Sequence, residues 1–407
     1  MKKSIVLFFA ILITQCLFSQ NKISIGERFS VSSKVLNDER AISVYYPPSY
    51  FFKANEKFPV LYILDGDYNF QYVAGLLELW GGISEDIPEM ILVAISGKGT
   101  NTYRKNCKPN FPNIKDAGNA DRVIDFIQNE LIPFVDCNFK SNGYKILAGH
   151  SVGGIFVSYT ALKNPHLFNH YIAISPALWW SDNAMETIFK KKYTHKILDA
   201  SIYFSLADEK GMGVKRYLKL IKNTSKNYRF KQFPDENHNS TGNKAYQWAL
   251  QDIFKPWKVE KEYFSNVNDV KNYFELQKST FSQIFKFPSG IIANTNYMLK
   301  SKPKRLHQVR ELLWKNSISA GIEMNNQIVA QFIEDENFEK ANSLLDKIFH
   351  QEPHNFKALE NLAKLYFKKN KLKMAEANIN LSIKEAIQQN ARQWMINELL
   401  ETKIMME

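Results

Sequence analysis

Cysteine is scarce in this chain, with Cys16, Cys107 and Cys137 the only three among 407 residues. So few cannot make a disulfide framework, and none has histidine partners at zinc-ligand spacing. Cys107 and Cys137 could pair or stay free in an oxidising compartment, and both options stay open at this stage. Long apolar runs are also missing beyond the first twenty residues, so no second segment is of membrane-spanning length. Arginine-rich stripes and nucleic-acid motifs are absent as well. The formal charge is +12, from 53 basic and 41 acidic residues, and falls to +10 without Lys2 and Lys3. Such a balance can steer acidic substrates or anionic surfaces. Its lysines are spread along the whole chain, however, so the excess reads mainly as a solvated surface and nucleic acid is not an expected partner.

What is present begins with Met1-Lys2-Lys3-Ser4, a basic start, followed by the apolar stretch Ile5 to Ile13. Nine apolar residues are too short to span a bilayer and have the make-up of a secretory signal peptide. Residues 1–20 are assigned to it, with cleavage near Ser19 or Gln20 and an exported product, periplasmic or extracellular. Lipoprotein anchoring at Cys16 is the lesser reading, because Gln15 stands where such signals need a small residue. A chain of this length with 45% hydrophobic and 14% aromatic residues can bury a sizeable core and should divide into two folded parts.

The most informative stretch is Gly149-His150-Ser151-Val152-Gly153-Gly154. It follows the apolar run Tyr144 to Ala148 and precedes a helix-like segment, Ile155 to Lys163. Gly-x-Ser-x-Gly between a strand and a helix is the setting of a nucleophile elbow, where small neighbours let strand and helix approach and leave the serine Oγ exposed.

A nucleophilic serine needs a base and an acid later in the chain. Of the histidines that follow, His238 sits best, in the polar loop Asp235 to Ser240 just after a candidate strand, Tyr228 to Phe233. His166 and His170 come too soon, His195 lies among surface lysines, and His307, His350 and His354 belong to a helical region. The acid should end the preceding strand, Ser201 to Ala207, where Asp208 and Glu209 are both in place to orient the imidazole. Oxyanion donors are expected from the backbone N–H of Val152 and, after the strand Phe58 to Leu64, from that of Asp67, with Gly66 turning it toward the pocket. Asp65 and Asp67 lack a histidine partner and read as turn residues, not as a metal site. Trp179 and Trp180 follow a strand end and are candidates for a substrate wall, with core packing of at least one of them the competing reading.

These features resemble the esterase D and enterochelin-esterase-like branch of serine hydrolases, which includes feruloyl esterases, S-formylglutathione hydrolases and mycolyltransferases. The likeness covers about residues 25 to 256. It rests on Val44-Tyr45-Tyr46-Pro47-Pro48-Ser49-Tyr50, Leu61-Tyr62-Ile63-Leu64-Asp65-Gly66, the elbow, Ile174-Ser175-Pro176-Ala177-Leu178-Trp179-Trp180 and the His238 loop. In such proteins a glutamate commonly follows the seventh strand, so the resemblance favours Glu209 over Asp208. It also matches Asn101-Thr102-Tyr103-Arg104, but the Arg-Asp pair expected next is replaced by Lys105-Asn106-Cys107-Lys108. The resemblance implies an α/β-hydrolase fold with a mostly parallel central sheet, an acyl-enzyme mechanism, and no cofactor or metal.

The chain changes character near residue 256. Before it, strand-length apolar runs alternate with helical segments such as Asp121 to Phe134; after it, glycine nearly disappears and the periodicity is helical. Phe338 and Leu372, Ala341 and Ala375, and Leu345 and Ile379 are each 34 positions apart. This period, with Pro353 in place, matches a tetratricopeptide pattern over about Ile322 to Asn355 and Phe356 to Gln389, closed by a capping helix from Asn390 to Met406. The expected organisation is therefore a signal peptide (1–20), an esterase domain (21–256), a helical connector (257–320) and an all-α array of tetratricopeptide-like repeats (321–407). The expected function is a secreted serine esterase acting on a small or medium siderophore, feruloyl or acetyl-sugar ester. An acyltransferase using the same nucleophile, and a non-catalytic interaction protein working through its repeats, are the alternatives. Partner binding or self-association falls to those repeats.

Overall fold

The computed structural model describes residues 24–52, 56–194, 198–224, 227–259 and 261–407. The signal-peptide stretch, Cys16 and His195 lie outside them. Among the described residues eight strands form a single sheet: β1 (Glu27–Ser33), β2 (Asp38–Tyr45), β3 (Phe58–Ile63), β4 (Ile91–Ile95), β5 (Ser141–His150), β6 (His170–Ile174), β7 (Ile202–Leu206) and β8 (Tyr228–Gln232). Their order is β1-β2-β4-β3-β5-β6-β7-β8. The β1–β2 and β2–β4 pairs are antiparallel, and every pair from β4 to β8 is parallel.

Central strands buried on both faces carry continuous apolar sequence. All six residues of β3 are buried. Val60 and Tyr62 point into one hydrophobic layer, under the helix Val152–Lys163, and Leu61 and Ile63 into the other, under Gly66–Leu77 and Thr241–Ile253. The edge strand β8 instead alternates half-buried and exposed residues, with Arg229 and Lys231 outward, as an edge that resists further pairing should.

Beyond Trp257 the described residues are helical, in eight helices from Val267–Phe281 to Gln393–Ile404. Side-chain caps set three of their starts: Asn266 accepts from Asn268 and Asp269 N–H, Ser317 from Ala320 N–H, and Asn355 from Ala358 N–H. Trp257, Phe281 and Phe285 join the layer that holds Tyr144, Ile146 and Phe254, so the first of these helices shares the core of the sheet. Cys107 is buried, Cys137 is exposed, and both are free thiols. No helix among the described residues is long and apolar enough to cross a membrane.

Candidate active site

β5 ends at His150 and the helix Val152–Lys163 starts two residues on, so Ser151 makes the turn alone. Its φ of 56° and ψ of −114° are strained for a residue with a side chain. Close packing holds it there. A Cβ at Gly149 would lie 2.6 Å from the Gly153 carbonyl oxygen, and one at Gly154 would lie 2.6 Å from Cβ of Pro176. The Ser151 N–H donates to the Ile174 carbonyl at 2.9 Å, and its own carbonyl accepts from Gly154 and Ala177 N–H at 3.0 Å. The helix begins at Val152, three residues before the expected Ile155, because the turn leads straight into it.

Two neighbouring loops bring the imidazole and the carboxylate together. Asp208 N–H donates to the Glu236 carbonyl at 2.9 Å, tying the segment after β7 to the segment after β8. Asn237 Oδ1 accepts from Asn239 and Ser240 N–H at 2.9 and 3.1 Å, which folds the second loop into a turn. In this arrangement His238 Nδ1 bonds Glu209 Oε1. The Glu209 side chain is only 11% exposed, whereas Asp208 faces solvent. Ser151, Val152, Glu209 and His238 line one cavity of about 600 Å³, at the carboxyl ends of the parallel strands.

Trp179 and Trp180 line the same cavity but differ in burial, with Trp179 55% exposed and Trp180 5%. The competing expectation of core packing thus describes Trp180 in part. Asp67 is the second residue of the helix Gly66–Leu77, so its N–H is a first-turn donor with no acceptor inside the helix. Its carboxylate accepts from Ser96 Oγ at 2.5 Å and Gly97 N–H at 3.0 Å. The expected role of Gly66 needs correction. The left-handed residue at this turn is Asp65, with φ 56°, and Gly66 is required because a Cβ there would lie 2.6 Å from the Ala94 carbonyl carbon.

Three cations on the cavity wall, Arg104, Lys108 and Lys115, give it a basic side. Lys108 pairs with Asp116, and that bond holds the Asp116 carboxyl below the usual carboxylate range. Lys115 and Met212 escaped the sequence reading, since nothing local marks them. His150 escaped it too. Its ring centroid lies 4.4 Å from that of His238, and burial, reinforced by the neighbouring His238, pushes its pKa down to about 4. Among the described residues no group of three or more His, Cys, Asp or Glu could hold a metal ion.

A mostly parallel sheet with an elbow at the end of a central strand defines the class, a hydrolase of the α/β type. The chain belongs to the Putative esterase family, whose model matches residues 33–258, and carboxylic-ester hydrolysis is its class of reaction. The siderophore triacetylfusarinine C esterase of Aspergillus fumigatus is 30% identical over 156 residues, 34% of this chain and 52% of that one, so the match spans about half of that relative. An IroE-like serine hydrolase from Shewanella oneidensis superposes with a TM-score of 0.60 at 22% identity, over 70% of this chain and 98% of that one. An uncharacterised protein from Capnocytophaga ochracea covers 92% of this chain and 99% of its own, with a TM-score of 0.51 at 14% identity, extending the likeness in fold into the helical part.

Proposed function

We propose that the protein is an exported serine esterase in which Ser151 is the nucleophile, His238 the base and Glu209 the acid. The observation that carries this reading is the bond from His238 Nδ1 to Glu209, inside the cavity that the elbow serine lines. With Glu209 accepting at Nδ1, Nε2 of His238 is the nitrogen that takes the Ser151 proton as Oγ attacks the ester carbonyl. Val152 and Asp67 N–H groups, both at helix starts, stabilise the resulting oxyanion. Collapse breaks the ester C–O bond, and the alcohol leaves with the proton from His238. Water, deprotonated by the same imidazole, then hydrolyses the acyl-enzyme and releases the acid.

The favoured substrate is a siderophore-type ester. A wall carrying Arg104 and Lys115 beside the Lys108–Asp116 pair suits an anionic chelate, and the exposed Trp179 offers a flat apolar face to an aromatic acyl group. The siderophore esterase relative points the same way. Feruloyl and acetyl-sugar esters are the next candidates. Helices Phe338–Gln351 and Leu372–Gln388 begin 34 residues apart, which supports reading residues 321–407 as tetratricopeptide-like repeats that bind a partner or a second copy.

A fluorophosphonate probe should label the purified protein at Ser151, and Ser151→Ala should lose labelling together with at least about 10⁴-fold in kcat. An unlabelled, inactive protein would instead favour the interaction-protein reading. Among p-nitrophenyl, feruloyl and catecholate-trilactone esters, the trilactone should give the highest kcat/KM. A feruloyl ester ranking first would overturn the siderophore assignment alone.

A further inference from the structure

The triad reading leaves the buried His150 without a task. We infer that His150 is a positioning residue for His238, holding the base through a ring contact. This rests on the Ser151–His238–Glu209 reading and extends it.

The loop that carries His238 is mostly exposed: Asp235, Asn237, Asn239 and Ser240 all face solvent. One bond to Glu209 fixes Nδ1 but leaves the imidazole free to tilt about it. His150, by contrast, is the last residue of central strand β5 and immediately precedes the nucleophile, so the backbone that places Ser151 places it as well. Its ring meets the His238 ring at 4.4 Å and 42°. Base and nucleophile are thereby referred to one rigid strand.

The protonation state of the side chain suits the same role. Desolvation keeps His150 neutral above about pH 4, which matters because an imidazolium forms on His238 during attack and a second positive ring beside it would oppose that charge.

Hydrolysis of p-nitrophenyl butyrate by the full chain, compared among wild type, His150→Ala, His150→Asn, His150→Phe and Ser151→Ala, tests the inference. The alanine variant should lose at least about tenfold in kcat, with KM within about threefold of wild type. Phenylalanine keeps a ring against His238 and should recover most of that loss, whereas asparagine removes the ring and should not. The asparagine variant decides the matter should the alanine variant not fold. A kcat within about twofold of wild type for both alanine and asparagine variants, with Ser151→Ala inactive, overturns the inference and leaves the triad standing. A change confined to KM overturns it equally. Turnover that survives in Ser151→Ala overturns the triad reading, and the role of His150 with it.

Discussion

Glu209 and Asp208 are chain neighbours with the same chemistry and opposite surroundings. Glu209 reaches His238 from a largely buried position, while Asp208 contributes its backbone N–H to the Glu236 carbonyl and leaves its carboxylate in solvent. Glu209→Ala should therefore lower kcat by about 10²-fold or more and Asp208→Ala by less than about threefold. Equal losses in the two kinetic series would return the acid assignment to open choice. A second residue-scale prediction concerns pH. His170 bonds Tyr144 Oη through Nε2 at 2.7 Å and Ser201 Oγ through Nδ1 at 2.8 Å, and burial lowers its pKa to about 4. Like His150, it is neutral in the folded chain and takes up a proton on unfolding below the usual histidine value, about 6.5. The unfolded state then binds more protons, so stability is complete above about pH 6.5 and declines as pH falls toward 4, by at most about 3 kcal/mol for each histidine. Urea unfolding at pH 4.5 and 7 should show this decline, and His170→Asn should make it shallower.

At the scale of elements, the elbow and the helix after β3 show how sterics decide where glycine is needed. Gly66 and Gly75 belong to the same helix, Gly66–Leu77, yet a Cβ at Gly66 would meet Ala94 backbone atoms at 2.6 Å while one at Gly75 would meet nothing within 4 Å. Gly66→Ala should lower stability by about 1–3 kcal/mol or more, and Gly75→Ala should raise it by about 0.5–1 kcal/mol. Opposite shifts in melting temperature are expected, and shifts of the same sign would contradict the packing described. The elbow was legible in the sequence because its requirements are local: a strand, a turn and small neighbours within six residues. The interval between β7 and β8 was legible for the same reason, since each strand is a short β-rich run bounded by polar loops. What no local pattern carries is which loops meet. The Asp208–Glu236 bond that joins the two loops, and the His150–His238 contact, depend on strand order, which places β5, β6, β7 and β8 side by side.

For the whole molecule, the helical part is joined to the sheet by both apolar and charged contacts. Lys286 pairs with Glu89 at 3.1 Å, both buried, and Glu89 also accepts from Ser49. Glu85 accepts Ser289 and Gly290 N–H at 2.6 and 2.9 Å, at the start of the helix Ser289–Leu299, where a carboxylate is favoured. Further out, Arg392 donates to Glu78, which also accepts from Tyr45 Oη at 2.6 Å. Between these contacts lies a cavity of about 1090 Å³, lined from both parts. On the sheet side, Pro48 to Phe52 precede β3 and Glu78 to Glu89 precede β4, so the cavity sits at the end of the sheet away from Ser151. Breaking one partner of a buried pair leaves the other charge uncompensated, so Lys286→Ala should lower stability by about 3–5 kcal/mol, read by urea denaturation. A loss under about 1 kcal/mol would mean that water already reaches Glu89. Deleting residues 257–407 strips Trp257, Phe281 and Phe285 from the core they share with Tyr144 and Phe254, and should leave an insoluble or unfolded remainder. A soluble, cooperatively folding fragment would show that this layer closes without them.

Sequence by itself determined the turn at Ser151, the strands that precede the Glu209 and His238 loops, the α/β character of the first part and the helical character of the second. Each of these depends on residues close together in the chain, through backbone sterics, hydrophobic period and capping. Tertiary structure decided the rest: that Glu209 and not Asp208 faces His238, that Trp180 is buried and Trp179 is not, that Asp65 takes the left-handed turn beside Gly66, and that Cys107 and Cys137 stay free. Those outcomes depend on which segments the parallel sheet sets next to one another, because burial and hydrogen-bond partners arise only when distant stretches pack together.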